Sequence, residues 1–188
     1  MRTLALLLVF VATACHASPI KVALTGVITH ELAVATVQAI QEVREQGNYP
    51  LLEINTPGGS VEAGFLISKE LEAGFSVCVV DGIAASMGTY ILQSCRWRIM
   101  TRRSVYMMHQ VAVSGGGGNE ESLRNVATAL ATMQRAMCEH LAARTKLSVN
   151  QLLTMLAGGK EVWWDWEHAL YFGAIDAVVG STEELGVR

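Results

Sequence analysis

"FSVCVVDGIAASMGTY", residues 75–90, runs from an apolar, β-branched stretch directly into small residues around one hydroxyl, Ser86. A strand passing almost without a loop into a helix is the unit from which parallel sheets are built. Ala84, Ala85 and Gly88 beside Ser86 suit two purposes: close helix packing, or a nucleophile on a tight strand-to-helix turn. The local sequence leaves both open, so the rest of the chain has to decide.

Upstream, "IKVALTGVI" alternates and reads as a strand, and apolar residues recur at helical spacing from Glu31 to Glu45 before a Gly stop in "EQGNYP". "LLEI" is a second strand, "NTPGGS" a turn and "VEAGFLISKELEAG" a second helix. The order βαβαβα with short connections predicts an α/β domain with a mostly parallel sheet. Downstream, "RWRIMTRRSVYMMHQ" holds two short strand-like runs around an arginine-rich turn. Arg96, Arg98, Arg102 and Arg103 read there as a solvated turn, with an intersubunit or substrate-carboxylate role as the sharper alternative. A glycine-rich connection, "VAVSGGGGNEES", leads into a long helix over Leu123–Thr145. Ser148 and Gln151 have capping-box spacing, and "WEHALYFG" with "AIDAVVG" closes the chain as a short helix and a strand.

The 188 residues suffice for one domain with a full core. They are 51% hydrophobic and only 16% charged, which points to surface buried against other copies. A net charge of −3 gives no general attraction for nucleic acid. The start, "MRTLALLLVFVATACHASP", has the basic, apolar and small-residue regions of a secretory signal. We expect cleavage after Ala17, a mature domain over 18–188, and a periplasmic or secreted location; "ATAC" alternatively resembles a lipobox with Cys15 lipidated. Export permits disulfides. Cys78 reads as buried filler in its strand, and the sequence allows a Cys95–Cys138 bridge without establishing it.

Some patterns are declined. "SGGGG" lacks the Lys-Ser/Thr ending of a phosphate loop, and "HELAV" has no second histidine for zinc. No metal or cofactor is expected. Acyl transfer to a serine needs a base, a group to orient that base, and N–H donors for the oxyanion. His109 ends the apolar run "SVYMM", although a lone histidine after a strand is usually structural. "NTPGG" follows a strand and precedes a helix, where glycines let backbone N–H groups approach a ligand.

"INTPGGSVEAG", "GIAASMGTYIL", "VYMMHQ" and "WEHALYFGAIDAVV" follow one another in the order and approximate spacing of the proteolytic subunit of Clp protease. From Ile20 to Val179 the chain resembles that family, within the Clp/crotonase superfamily. The resemblance implies that fold, repeated β-β-α or βαβ units with a mostly parallel sheet and an extended handle helix through which rings stack. It also implies a serine peptidase in which Ser86 attacks, His109 is general base and then acid, and the N–H groups of Gly59 and Met87 form the oxyanion hole. The family's third member is an aspartate shortly before the last helix. Alignment through "GAID" puts Glu161 there, a departure from the pattern, with Asp165 as the alternative unless it caps that helix.

The segment that meets an ATP-driven unfoldase in the family is replaced here by the signal sequence. We therefore expect no ATPase partner, an ATP-independent enzyme acting on peptides or unfolded chains, and a homo-oligomeric ring. Trp163, Trp164 and Trp166 read as core or interface packing. The rival readings are a signal peptide peptidase or NfeD-type enzyme, whose lysine base would have to be Lys146 or Lys160, and a non-catalytic scaffold on the same fold.

Overall fold

The computed structural model describes residues 17–113 and 117–186; the expected signal sequence apart from Ala17, and with it the lipobox candidate Cys15, lies outside the described residues. In chain order the elements are β1 (Pro19–Thr25), α1 (His30–Glu45), β2 (Tyr49–Thr56), α2 (Val61–Glu72), β3 (Val77–Ala85), α3 (Met87–Gln93) and β4 (Trp97–Thr101). They continue with β5 (Val105–Met108), α4 (Glu120–Ala142), α5 (Val149–Leu156), β6 (Val162–Trp164), α6 (Trp166–Tyr171), β7 (Ala177–Val179) and a 3₁₀ turn over Thr182–Leu185. The helices start where side chains satisfy free backbone donors: Thr29, Ser60, Asn119 and Asp165 act as N-caps, and Ser148 with Gln151 forms the expected capping box.

Five strands lie in the order β1-β2-β3-β4-β7, all parallel. Leu24, Ile54, Val80 and Met100 from the strands and Ile40, Ile67, Leu71 and Ile91 from the helices are fully buried, each worth roughly 2 kcal/mol of burial. The expected mixed α/β architecture with a mostly parallel sheet is the one observed.

β3 is longer than "FSVCVV" alone suggests, because "GIAA" continues it to Ala85. It also divides its pairing. Val77–Val80 bonds to β4, and Ile83–Ala85 bonds to β5. Between them Gly82 takes φ +118°, a region that side chains resist, and its N–H donates to Ser104 Oγ at 2.9 Å. This bend turns the end of β3 away from β4 and onto β5. Consequently Ser86 N donates to Met107 O at 2.8 Å, which brings the serine beside the strand that leads to His109.

Two expectations need correction. Cys78 is not filler and Cys95 does not reach Cys138: Cys78 and Cys95 form the disulfide, with 5.8 Å between Cα atoms, and Cys138 is free and buried. Cys78 lies on β3 and Cys95 just before the neighbouring β4, a closeness that only the strand pairing creates. Arg98 does not belong to a solvated turn but is buried at the start of β4. Its Nε and Nη2 donate to Asp176 Oδ2 and Oδ1 at 3.0 and 2.6 Å, and its Nη1 donates to Arg144 O at 2.7 Å and to the Gln93 carboxamide. Burial pushes the Asp176 carboxyl up, but the Arg98 hydrogen bonds outweigh it and hold the group below its ordinary value. "VWW", to which the sequence reading assigns no element, is a strand, β6, paired antiparallel with β5.

α4 has two unlike halves. Gln134, Cys138 and Leu141 are its buried positions, whereas the helix from Glu120 to Ala129 is exposed throughout, Leu123 and Val126 included.

Candidate active site

Ser86 sits between β3 and α3 with φ 54° and ψ −119°. It is the non-glycine residue with positive φ among the described residues, and such strain persists only where the surroundings fix it. The surroundings here are Ala84, Ala85 and Met87, all buried, and the Met107 carbonyl that holds the Ser86 N–H. Of the two readings open for the small residues, the geometry is that of a sharp turn presenting a half-buried hydroxyl, not of a serine inside a helix.

The turn "NTPGG" lies against this serine. Ile28 N donates to Gly58 O and Ser60 N donates to Ile28 O, both at 2.9 Å, so a short parallel bridge pins the turn to the segment after β1. In such a bridge the flanking residues make the bonds and Gly59's own N–H points away from Ile28. A Cβ on Gly59 would lie 2.4 Å from Ile28 O, so no other residue fits. The N–H groups of Gly59 and of Met87, the first residue of α3, have no acceptor among the described residues.

Ser86, Met87, Gly59 and His109 line one cavity of about 110 Å³. Val61, Met137, Leu141 and Leu156 supply apolar wall, and Tyr90 and Gln134 supply polar groups. Burial, and then the Glu72 carboxylate, push the Tyr90 phenol up, so it stays neutral. His109 follows β5, and its Nδ1 lies 2.5 Å from Gln110 O. A carbonyl oxygen only accepts, so Nδ1 carries the proton and Nε2 keeps the lone pair of a general base. The segment after His109 is fixed from two sides. Val111 N donates to Gln134 Oε1 at 2.7 Å, and Gly159 N donates to Gln110 Oε1 at 3.0 Å.

Glu161 stands one residue before β6. The β5–β6 ladder pairs Tyr106 with Trp164, Met107 with Trp163 and Met108 with Val162, and the next step of that register sets Glu161 opposite His109. Opposed residues on an antiparallel pair share a face, with Cβ atoms roughly 5 Å apart. The Glu161 side chain is exposed, and its Oε2 accepts from Trp163 Nε1 at 3.1 Å. Asp165 is engaged elsewhere. It caps α6, accepting from His168 N at 2.9 Å and from His168 Nδ1 at 2.7 Å. The His168 backbone N–H first, and its side chain next, hold the Asp165 carboxyl below its ordinary value. The lysines of the rival reading stand outside the cavity. Lys146 Nζ donates to Tyr171 O at 2.8 Å, and Lys160 is exposed. Among the described residues no group of three or more His, Cys, Asp or Glu side chains is arranged for a metal.

Two residues of the site escaped the sequence reading. Gln134 lies mid-helix with no local signal, and Gln110 could have been suspected only from its place beside His109. A parallel α/β fold carrying a serine on a strained strand-to-helix turn, with a histidine and free N–H groups on the same cavity, defines a serine hydrolase. A sequence model of the Clp protease family matches residues 16–182, and the chain belongs to that family. It is a serine endopeptidase. The chain is 37% identical over 139 residues to ATP-dependent Clp protease proteolytic subunit 3 of Rhodococcus jostii, covering 72% of this chain and 67% of that protein. With subunit 2 of the same organism it shares 33% over 141 residues, covering 72% and 70%. The Streptococcus pyogenes ATP-dependent Clp protease proteolytic subunit is 29% identical over 176 residues, covering 85% and 84%.

Proposed function

We propose that this chain is an exported serine peptidase that hydrolyses peptides or unfolded polypeptides without ATP, through Ser86, His109 and Glu161. The observation that carries the reading is the convergence of the Ser86 hydroxyl, the His109 imidazole and two unengaged N–H groups, those of Gly59 and Met87, on one cavity. Ser86 Oγ attacks the peptide carbonyl while His109 Nε2 takes its proton. The carbonyl oxygen, now negative, accepts from Gly59 and Met87 N–H. His109 returns the proton to the leaving amine, and water, deprotonated by the same nitrogen, hydrolyses the acyl-enzyme. Glu161 accepts the Nδ1–H that Gln110 O now holds, fixing the tautomer and stabilising the imidazolium. The apolar wall favours apolar side chains on the substrate.

Export is supported by the signal-like start and by the Cys78–Cys95 disulfide, which calls for an oxidising compartment. ATP independence follows from export and sets this chain apart from the relatives above, which are subunits of ATP-dependent proteases. Assembly into a homo-oligomeric ring is supported by the exposed first half of α4, which offers apolar side chains that the described residues of one subunit leave uncovered. The alternative Cys15 lipoprotein would differ in anchoring, not in chemistry.

The test is fluorophosphonate labelling and peptide hydrolysis by purified mature protein without nucleotide. Wild type should label and hydrolyse, and Ser86→Ala should do neither while keeping its circular dichroism spectrum. Hydrolysis by Ser86→Ala at the wild-type rate would refute the assignment, and no labelling of wild type would favour a scaffold.

A further inference from the structure

Trp163 has no duty in the mechanism above, and its surroundings are unusual for so large an apolar residue. It is 53% exposed, whereas its neighbour Trp164 is buried, stacked between Tyr106 and Phe172 at 5.4 and 4.8 Å. Core packing therefore accounts for Trp164 and not for Trp163. The polar contact that Trp163 does make is specific: its Nε1–H donates to Glu161 Oε2 at 3.1 Å.

The ladder explains how this contact bears on the site. Trp163 pairs with Met107, and Glu161 falls opposite His109, so all four side chains share one face of the β5–β6 ribbon. An indole on that face, two residues from the carboxylate, binds one of its oxygens and leaves the other for the histidine. Glutamate needs such a restraint. It has one more rotatable bond than the aspartate implied by the resemblance, it is exposed, and an unrestrained carboxylate would spend most of its time in water. The backbone beneath it is already fastened by the Gly159 N to Gln110 Oε1 hydrogen bond, which leaves the side chain as the freedom to be removed.

We propose that Trp163 is a positioning residue, whose indole N–H holds one oxygen of Glu161 so that the other meets His109 Nδ1. This rests on Glu161 being the orienting acid. The proposal concerns the N–H and not the ring, so Trp163→Phe, which keeps an aromatic at a half-exposed site, is the informative variant.

The experiment compares wild type, Trp163→Phe, Glu161→Gln and the double variant by steady-state peptide hydrolysis and by the rate of fluorophosphonate inactivation, with thermal unfolding as control. We expect Trp163→Phe to lose about tenfold in kcat, the worth of one hydrogen bond to a charged group, with KM within about twofold and Tm unchanged. Within the Glu161→Gln background the same change should have no further effect, since the oxygen it positions no longer carries charge. If Trp163→Phe is as active as wild type while Glu161→Gln is nearly dead, the positioning role is wrong and the triad stands. An equal loss from Trp163→Phe in both backgrounds would mean an effect on general structure and would also overturn it. If Glu161→Gln is fully active, the triad reading fails and takes the proposal with it.

Discussion

The two residues proposed as nucleophile and acid, Ser86 and Glu161, are held in opposite ways. Ser86 is set in the core: its neighbours on both sides are buried, its backbone is forced to positive φ, and Gly58 is packed so tightly that a Cβ there would lie 2.6 Å from Ser86 Cβ. Glu161 stands on an exposed ribbon edge, ahead of a strand of three residues, and is restrained by a side chain two positions on. The nucleophile must hit a trajectory that tolerates little error, and the close-packed interior supplies that rigidity. In the proposed triad the acid only has to present an oxygen to a nitrogen, which leaves room for glutamate where the resemblance implies aspartate.

If that contrast is right, damage to the acid should appear in kinetics and damage to the serine's bed in stability. The largest effect expected is from Glu161→Gln. Its kcat should fall by roughly 10⁴-fold with KM little changed, and its unfolding should match wild type in a calorimetric scan. Unimpaired turnover would mean that a Ser/His dyad suffices. On the serine side, Gly58→Ala adds a methyl at φ +96° against Ser86 Cβ and 2.8 Å from Ala85 O. We expect about 3 kcal/mol of destabilisation in urea titrations, from strain and overpacking together. A neutral result would show the bed to be softer than it looks. The smallest effect is that of Asp165→Ala, which removes the α6 cap and the His168 contact. Tm should drop by roughly 3 °C and kcat should stay at the wild-type value. The reverse outcomes for Glu161 and Asp165 would move the acid's role to Asp165.

The chain pattern carried most of the fold and part of the site. Turn and strand signals around "AASMG" and "NTPGG" are local, so Ser86 and Gly59 could be found from their neighbours, and the βαβ alternation predicted the parallel sheet. What escaped depends on residues far apart in the chain. Arg98 reads as solvent-facing until Asp176, 78 positions away, is brought against it. The Cys78–Cys95 bond follows from β3 and β4 lying side by side, which spacing alone does not distinguish from a Cys95–Cys138 bridge. β6 is too short for periodicity to register, and without it the opposition of Glu161 and His109 has no physical basis beyond the alignment.

The exposed first half of α4 has a consequence for how the molecule breathes. Ten consecutive residues, Glu120–Ala129, form close to three turns of helix with no buried position among them. A helical segment of that length, lacking tertiary support, is marginal in water. In a lone subunit its amides therefore open and exchange with solvent far faster than those around Cys138 and Leu141, which open only with the core. Docking against another copy would extend that protection outward along the same helix. Under the proposed assembly the segment would thus be an internal reporter, one that distinguishes free from associated subunits by how slowly its hydrogens leave.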